Sequence, residues 1–169
     1  RIRSIKKRNK IKVKGYLKGS YKLKFVTDNL KSAIKSVDII LIVVPAYAHK
    51  EIAREISPYL EQDQIILLNP GRIFGAVEFE RIVDKLRPNI DIFIGETQTL
   101  LFTCRALKKN RLKILKIKDS LNFAAFPARH SFFIHDTLKD AFPQLNPQKD
   151  YLQLTLHNVG MLLHPTITL

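Results

Sequence analysis

The sequence predicts an α/β protein built on a parallel sheet with flanking helices. Three observations carry that expectation. Two continuous aliphatic runs, "DIILIVVPA" and "QIILLNPGR", have the length of strands and no polar alternation, as strands buried on both faces do. A third run, "NIDIFIGETQT", follows them. Between the runs lie segments with apolar residues at helical spacing. The order is therefore strand, helix, strand, helix, strand, which right-handed crossovers close into one parallel sheet.

Ahead of those runs, residues 1–24 hold eleven Lys and Arg and no acid, while residues 25–169 hold 18 basic against 15 acidic groups. The formal net charge of +14 is thus a local feature. In "IKVKGYLKGSYKLKF" the lysines alternate with Ile11, Val13, Tyr21, Leu23 and Phe25, the period of a hairpin with one solvated face. The competing reading is a non-enzymatic binding module. In it the basic arm, with Tyr16 and Tyr21, docks nucleic acid or an acidic partner by counterion release. The strand period favours the solvated face, and nucleic acid is the weaker expectation.

Thr27-Asp28-Asn29 is a helix-start signal before "NLKSAIKS". "YAHKEIAREISPYL" places Ile52, Ile56 and Leu60 at helical spacing, with Pro58 breaking its end. In "GAVEFERIVDKL" the expected inner stripe is Val77, Ile82, Val83 and Leu86. Farther on, "RLKILKIKDS" alternates as a strand, and "NFAAFPA" is extended up to Pro127. "HDTLKDAFPQL" is a short helix, and "YLQLTLHNVGMLLH" has helical spacing at Leu152, Leu156, Val159 and Leu163. No internal repeat or low-complexity segment interrupts the chain. No run of membrane-span length and no signal-peptide pattern is present. The single Cys104 asks for no oxidising compartment, so the cytoplasm is the default expectation.

Ligands of open α/β sheets bind beyond the carboxyl ends of the parallel strands. Here those ends deliver Pro45-Ala46 with His49, then Asn69-Pro70-Gly71-Arg72 with Gly75, then Gly95-Glu96-Thr97-Gln98-Thr99. Each has a plain reading beside the functional one. The prolines stop strands, and the two glycines either let backbone approach a phosphate or merely turn the chain. His49 at a helix start is commonly a solvated histidine. The polar groups of "GETQT" need partners, which a substrate, a cofactor or the backbone can supply. His164 among leucines is commonly a satisfied core histidine, and Cys104 reads as a small buried residue. The histidine spacings give no metal site, and no G-x-G-x-x-G occurs.

Four stretches, "VVPAYAHKEIA", "LNPGRIFGAVEF", "GETQTLLFTCR" and "HNVGMLLHP", occur in an order and spacing that resembles the opine dehydrogenases, the octopine/nopaline dehydrogenase group. The resemblance spans about residues 11–169. It implies a Rossmann-like domain of the 6-phosphogluconate-dehydrogenase type, then an all-α C-terminal domain. The implied activity is an oxidoreductase that reductively condenses an amino acid with a 2-oxo acid using NAD or NADP. On that pattern, residues 1–149 are a partial NAD(P)-binding domain lacking its N-terminal G-x-G-x-x-G unit, and residues 150–169 begin the helical domain. The chain then reads as a fragment truncated at both ends, inactive by itself; a homodimer is left open. His164 matches the family's catalytic acid/base. Val44, Pro45, Ala46 and His49 match the cofactor-lining stretch. Gln98, Thr99 and Cys104 fall at the amino acid pocket, and Arg72 faces the cleft near a substrate carboxylate.

Overall fold

A computed structural model describes residues 2–107 and 109–157. Strands β3 (Ile39–Ile42), β4 (Ile65–Leu68) and β5 (Phe93–Thr97) pair in parallel, as their uninterrupted aliphatic runs require. β8 (Leu121–Phe126) joins β5 antiparallel, and β9 (Leu145–Pro147) extends the sheet, giving the order β3-β4-β5-β8-β9. A second sheet has the order β2-β1-β7-β6. It contains the basic hairpin β1 (Lys10–Gly15) and β2 (Gly19–Lys22), with β6 (Phe102–Ala106) and β7 (Arg111–Ile117). Lys10, Lys12 and Lys14 are exposed while Val13 is buried, so β1 has the solvated face its alternation predicts; β2 is exposed on both faces, and the expectation is corrected for Tyr21 and Phe25, which are exposed.

Both faces of the first sheet are covered at β4 and β5, whereas in β3 Leu41 is exposed, which corrects the expectation that this strand is buried on both faces. On one, Ile42, Ile66, Leu68 and Ile94 pack with helices α3 (His49–Ile56) and α4 (Gly75–Leu86). On the other, Ile65, Leu67, Phe123 and Ala125 pack against α5 (Ser131–Leu138). Phe79 and Phe123 are fully buried, and such burial stabilises by roughly 1.5–3 kcal/mol per side chain. Helix α2 (Leu30–Ile34) starts at Asn29, whose side chain accepts from the Ser32 amide at 2.9 Å, the cap the sequence signals.

Several expectations are corrected. The inner stripe of α4 is Ala76, Phe79 and Val83; Val77 and Ile82 are half-buried and Leu86 is exposed. The bulk of Phe79 sets the rotation of that helix. The basic arm begins as helix α1 (Ile2–Arg8), which the charge pattern does not distinguish from a strand. α5 starts four residues earlier than "HDTLKDAFPQL" implies. The hydroxyl of its first residue, Ser131, is buried and accepts the Ala125 amide at 2.9 Å. Helix α6 (Tyr151–Leu156) ends at His157. Residues 158–169, which hold Val159, Leu163 and His164, lie outside the described residues. Among the described residues no helix is long and apolar enough to cross a membrane.

Candidate functional site

Register decides where the strand ends lie. Ile42 pairs with Leu68, and Leu68 with Glu96, so the last residues of β3 and β4 and the next-to-last of β5 form one row. The segments that leave them, at Pro45, Asn69 and Gln98, therefore emerge from a single edge of the sheet. The convergence inferred from the sequence is present.

Glu96 organises that edge. It is 1% exposed, and its Oε2 accepts from the Ala76 amide at 2.7 Å and from the Tyr151 hydroxyl at 2.9 Å. The Thr155 hydroxyl is a further hydrogen-bond partner, while its oxygen accepts the Phe74 amide at 2.7 Å. One carboxyl group thus ties β5 to the start of α4 and to α6. Burial raises the Glu96 carboxyl above its ordinary value, against the pull of these hydrogen bonds. The Tyr151 phenol is pushed up by burial and by the adjacent Glu96.

The loop between β4 and α4 is shaped by this carboxyl. A Cβ at Gly71 would lie 2.2 Å from the Glu96 Cβ, so glycine is required there by close approach to Glu96. The phosphate-cradle reading of Gly71 is not needed to explain it. Arg72 and Phe74 both adopt left-handed backbone, at φ of 69° and 56°. Such conformations are uncommon for non-glycine residues and tend to gather at functional sites. Two of them within three residues mark this loop.

His49 is 1% exposed, which corrects the expectation of a solvated histidine. Its Nε2 is buried and has no hydrogen-bond partner among the described residues. Burial lowers its imidazole below the ordinary value, while Glu78 and the Val44 backbone pull the other way. Its Nδ1 lies 3.3 Å from where a Gly75 Cβ would sit, beside Glu96 Oε2 at the same distance. The histidine and the carboxyl therefore flank one helix start.

The other expected site residues separate into three groups. Val44 is half-buried and Pro45 and Ala46 are exposed at the end of β3. Gln98 donates to the His157 carbonyl, bordering a cavity of about 100 Å³ shared with Asn122, Gln148 and Gln153. Thr99 and Arg72 are half-buried on the same edge. Cys104 sits in β6 of the second sheet and is exposed, so the expectation of a small buried residue is corrected. His164 lies outside the described residues.

Sequence reasoning asked whether substrate or backbone satisfies "GETQT". For Thr97 the answer is internal, since its hydroxyl lies 2.9 Å from the Thr99 carbonyl and 3.4 Å from Asn69 Oδ1. Asn69, missed as a brace, also accepts the Leu101 amide at 3.1 Å. Tyr151 and Thr155 were missed as well. They lie with Leu154 on the buried face of α6, which corrects the expected stripe: Leu152 and Leu156, the residues that the apolar spacing singles out there, are exposed.

The pH response of this hub follows from the two shifts. Folding raises the Glu96 affinity for its proton, so above about pH 4.3, the ordinary glutamate value, the folded state holds more proton than the unfolded one. Stability then falls as pH rises through that window, up to the folded value. His49 has the opposite sign: below about pH 6.5 the unfolded chain binds a proton that the fold resists, so stability falls as pH drops. Glu96→Gln keeps an accepting oxygen and abolishes only the first response. Urea midpoints measured from pH 4 to 8 should lose their decline with rising pH in that variant. An unchanged profile would show that Glu96 does not set it.

Comparison with known proteins fits this geometry. The family model described as NAD-dependent glycerol-3-phosphate dehydrogenase N-terminus matches residues 3–70. An opine dehydrogenase of Arthrobacter sp. (strain 1C) is 37% identical over 172 residues, covering 100% of this chain and 47% of that protein. An opine dehydrogenase of Haliotis discus hannai is 28% identical over 102 residues, covering 59% of this chain and 24% of that protein. The chain thus spans about half the length of the first of these relatives and a quarter of the second. Octopine dehydrogenase solved with NADH and L-arginine superposes with a TM-score of 0.79 at 20% identity, over 98% of this chain and 43% of that one. Yersinopine dehydrogenase with NADP+ bound gives 0.74 at 12% identity, over 92% and 40%. The strand-end architecture is that of the Rossmann-like domain in octopine-dehydrogenase-type structures, and by its identity to the Arthrobacter protein along its whole length the chain is an opine dehydrogenase homologue.

Proposed function

We propose that this chain contributes the strand-end half of an NAD(P)-dependent opine-type active site, in which an amino acid and a 2-oxo acid are reductively condensed to a secondary amine. The observation that carries the reading is the in-register row Ile42–Leu68–Glu96, which gathers three polar segments on one sheet edge. The residues fit the nicotinamide and ribose side of the cofactor. His49 Nε2 is a buried atom without a hydrogen-bond partner among the described residues, and the neighbouring Pro45 and Ala46 offer an exposed surface. Val44, Pro45, Ala46 and His49 would hold that end. When bound, the reduced nicotinamide supplies a hydride.

The chain's own residues do the positioning. Arg72, kept in place by a left-handed backbone, is suited to a substrate carboxylate. Gln98 and Thr99 border the amino acid. His164 moves the proton exchanged at the amino acid nitrogen or the oxo acid oxygen, a task for a group that titrates near neutrality. On this reading residues 1–149 form the cofactor-side domain and residues from 150 begin the helical one. Glu96, through Tyr151 and Thr155, joins them.

Two outcomes test the reading. The 169 residues contain no G-x-G-x-x-G. Little or no NADH oxidation is therefore expected from them alone with pyruvate and a panel of amino acids. Oxidation that disappears in His164→Ala would contradict that. The activity itself is tested in a chimera in which this chain replaces the matched stretch of the Arthrobacter opine dehydrogenase. There we expect NAD(P)H consumption that requires both an amino acid and a 2-oxo acid. A folded chimera that binds the cofactor and turns over neither pair refutes the proposal. Gln98 presents a neutral amide, so a neutral amino acid is the expected substrate class. Gln98→Glu in the chimera should raise kcat/KM for arginine or lysine about tenfold, on the scale of a single charge-assisted hydrogen bond. No gain in the cationic-to-neutral ratio would remove Gln98 from specificity.

A further inference from the structure

One groove in the described structure begins at the strand-end edge, beside Ile73 and Phe74, and leads away from it. It has a volume of about 980 Å³ and runs between α3 and α4. Its walls carry four cations, Lys50 and Arg54 one turn apart on α3, and Arg81 and Lys85 one turn apart on α4. Glu78 is the single acidic residue among the described lining residues. None of the four cations is within ion-pair distance of an acid among the described residues. Phe74, Val77, Ile82 and Leu86 form an apolar floor, of which Phe74 is 39% and Leu86 49% exposed. Val77 and Ile82 flank the inner stripe of Ala76, Phe79 and Val83 and are only partly buried, Leu86 is exposed, and Phe74 precedes the helix.

An apolar strip flanked by uncompensated cations is a complementary template. The like charges repel across the groove, and the exposed floor remains in contact with water. Both costs are relieved by an occupant with an apolar face and carboxylates beside it. The groove follows the whole of α4, twelve residues and so roughly 18 Å at 1.5 Å per residue. It is open along that length, where small-molecule sites enclose their ligand. A helix laid lengthwise matches it, with apolar residues at i, i+3, i+4 and i+7 on the floor and carboxylates a turn apart facing the cations. We infer that the α3–α4 groove is a docking site for an acidic amphipathic helix of a partner protein. The groove meets the strand-end edge at Lys50, Ile73 and Phe74 and runs away from it along α4, and failure of the inference would leave the dehydrogenase reading untouched.

The test uses the 169-residue chain and three synthetic 16-residue peptides measured by fluorescence anisotropy. One carries a leucine stripe flanked by glutamates, one the same stripe flanked by lysines, and one the glutamate composition scrambled out of helical period. The acidic amphipathic peptide should bind, weaken at least tenfold in Arg54→Glu/Arg81→Glu, and weaken similarly in Val77→Asp. The other two peptides should bind at least tenfold more weakly. A circular dichroism melt of each variant confirms that it is folded, and Lys50→Glu/Lys85→Glu serves should either fail to fold. The basic segment 1–24 is the competing acceptor, so Lys6→Gln/Lys7→Gln/Arg8→Gln should leave binding within twofold. Binding lost in that arm variant, equal binding of the scrambled peptide, or no loss on charge reversal in the groove each overturns the inference.

Discussion

Gly71→Ala is expected to lower stability by about 3 kcal/mol, at the upper end of what overpacking costs. The added Cβ would lie 2.2 Å from the Cβ of Glu96 and 2.5 Å from its Oε2, both in the buried hub. No flexible side-chain end can swing aside, because the nearest atom is fixed directly to the backbone of β5. Glu96→Ala therefore does not rescue the variant, since alanine keeps that Cβ. Gly75→Ala is the matched comparison. Its Cβ would meet its nearest neighbours, Glu96 Oε2, His49 Nδ1 and a Leu68 methyl, at 3.3 Å, which small side-chain shifts accommodate. Urea denaturation should show a large fall in midpoint for Gly71→Ala and a small one for Gly75→Ala. Equal midpoints would mean that the β4–α4 loop does not lean on Glu96.

The same hub shows what local pattern reveals and what it omits. β3, β4 and β5 were legible because Ile, Leu and Val without alternation have few places to go except between two helical layers. Asn29 and Pro58 announced a helix start and a helix break through chemistry confined to a few neighbouring residues. The rotation of α4 was not legible to the residue. Val77 and Phe79 compete for the core, and the larger ring wins by burying more apolar surface. β6 gave no signal, since four of its five residues are exposed and its pairing with β7 is interrupted between Thr103 and Cys104. Its partners lie across a turn that apolar periodicity does not record. At the site, Glu96 was visible as a carboxylate at the end of an apolar strand. Tyr151, its hydrogen-bond partner 55 residues on, was not, because no local spacing encodes that contact. The burial of His49 was missed for the same reason: the Gly75 and Glu78 neighbours it meets belong to α4, more than 25 residues on.

The second large effect is expected at His164. If it is the acid/base, its removal costs the proton transfer and leaves binding in place, because the residues proposed to line the cofactor come from the ends of β3 and its following helix. General acid/base groups contribute typically about 10²- to 10⁴-fold to rate. His164→Ala in the chimera with the Arthrobacter opine dehydrogenase should lose turnover on that scale, with the dissociation constant for the reduced cofactor changed less than threefold. His49→Ala should do the reverse in part, weakening cofactor binding while the pH profile of kcat keeps its shape. The imidazole at 164 and the sheet edge would then be two halves of one site, one supplying the proton and the other holding the groups that need it.

The measurement that bears most directly on this is the pH dependence of kcat in the chimera, with histidine and then alanine at position 164. The account predicts a titration near neutrality that disappears in the alanine variant together with at least 99% of the rate. Undiminished turnover with an unchanged pH profile, in a chimera that still binds NAD(P)H, would contradict it.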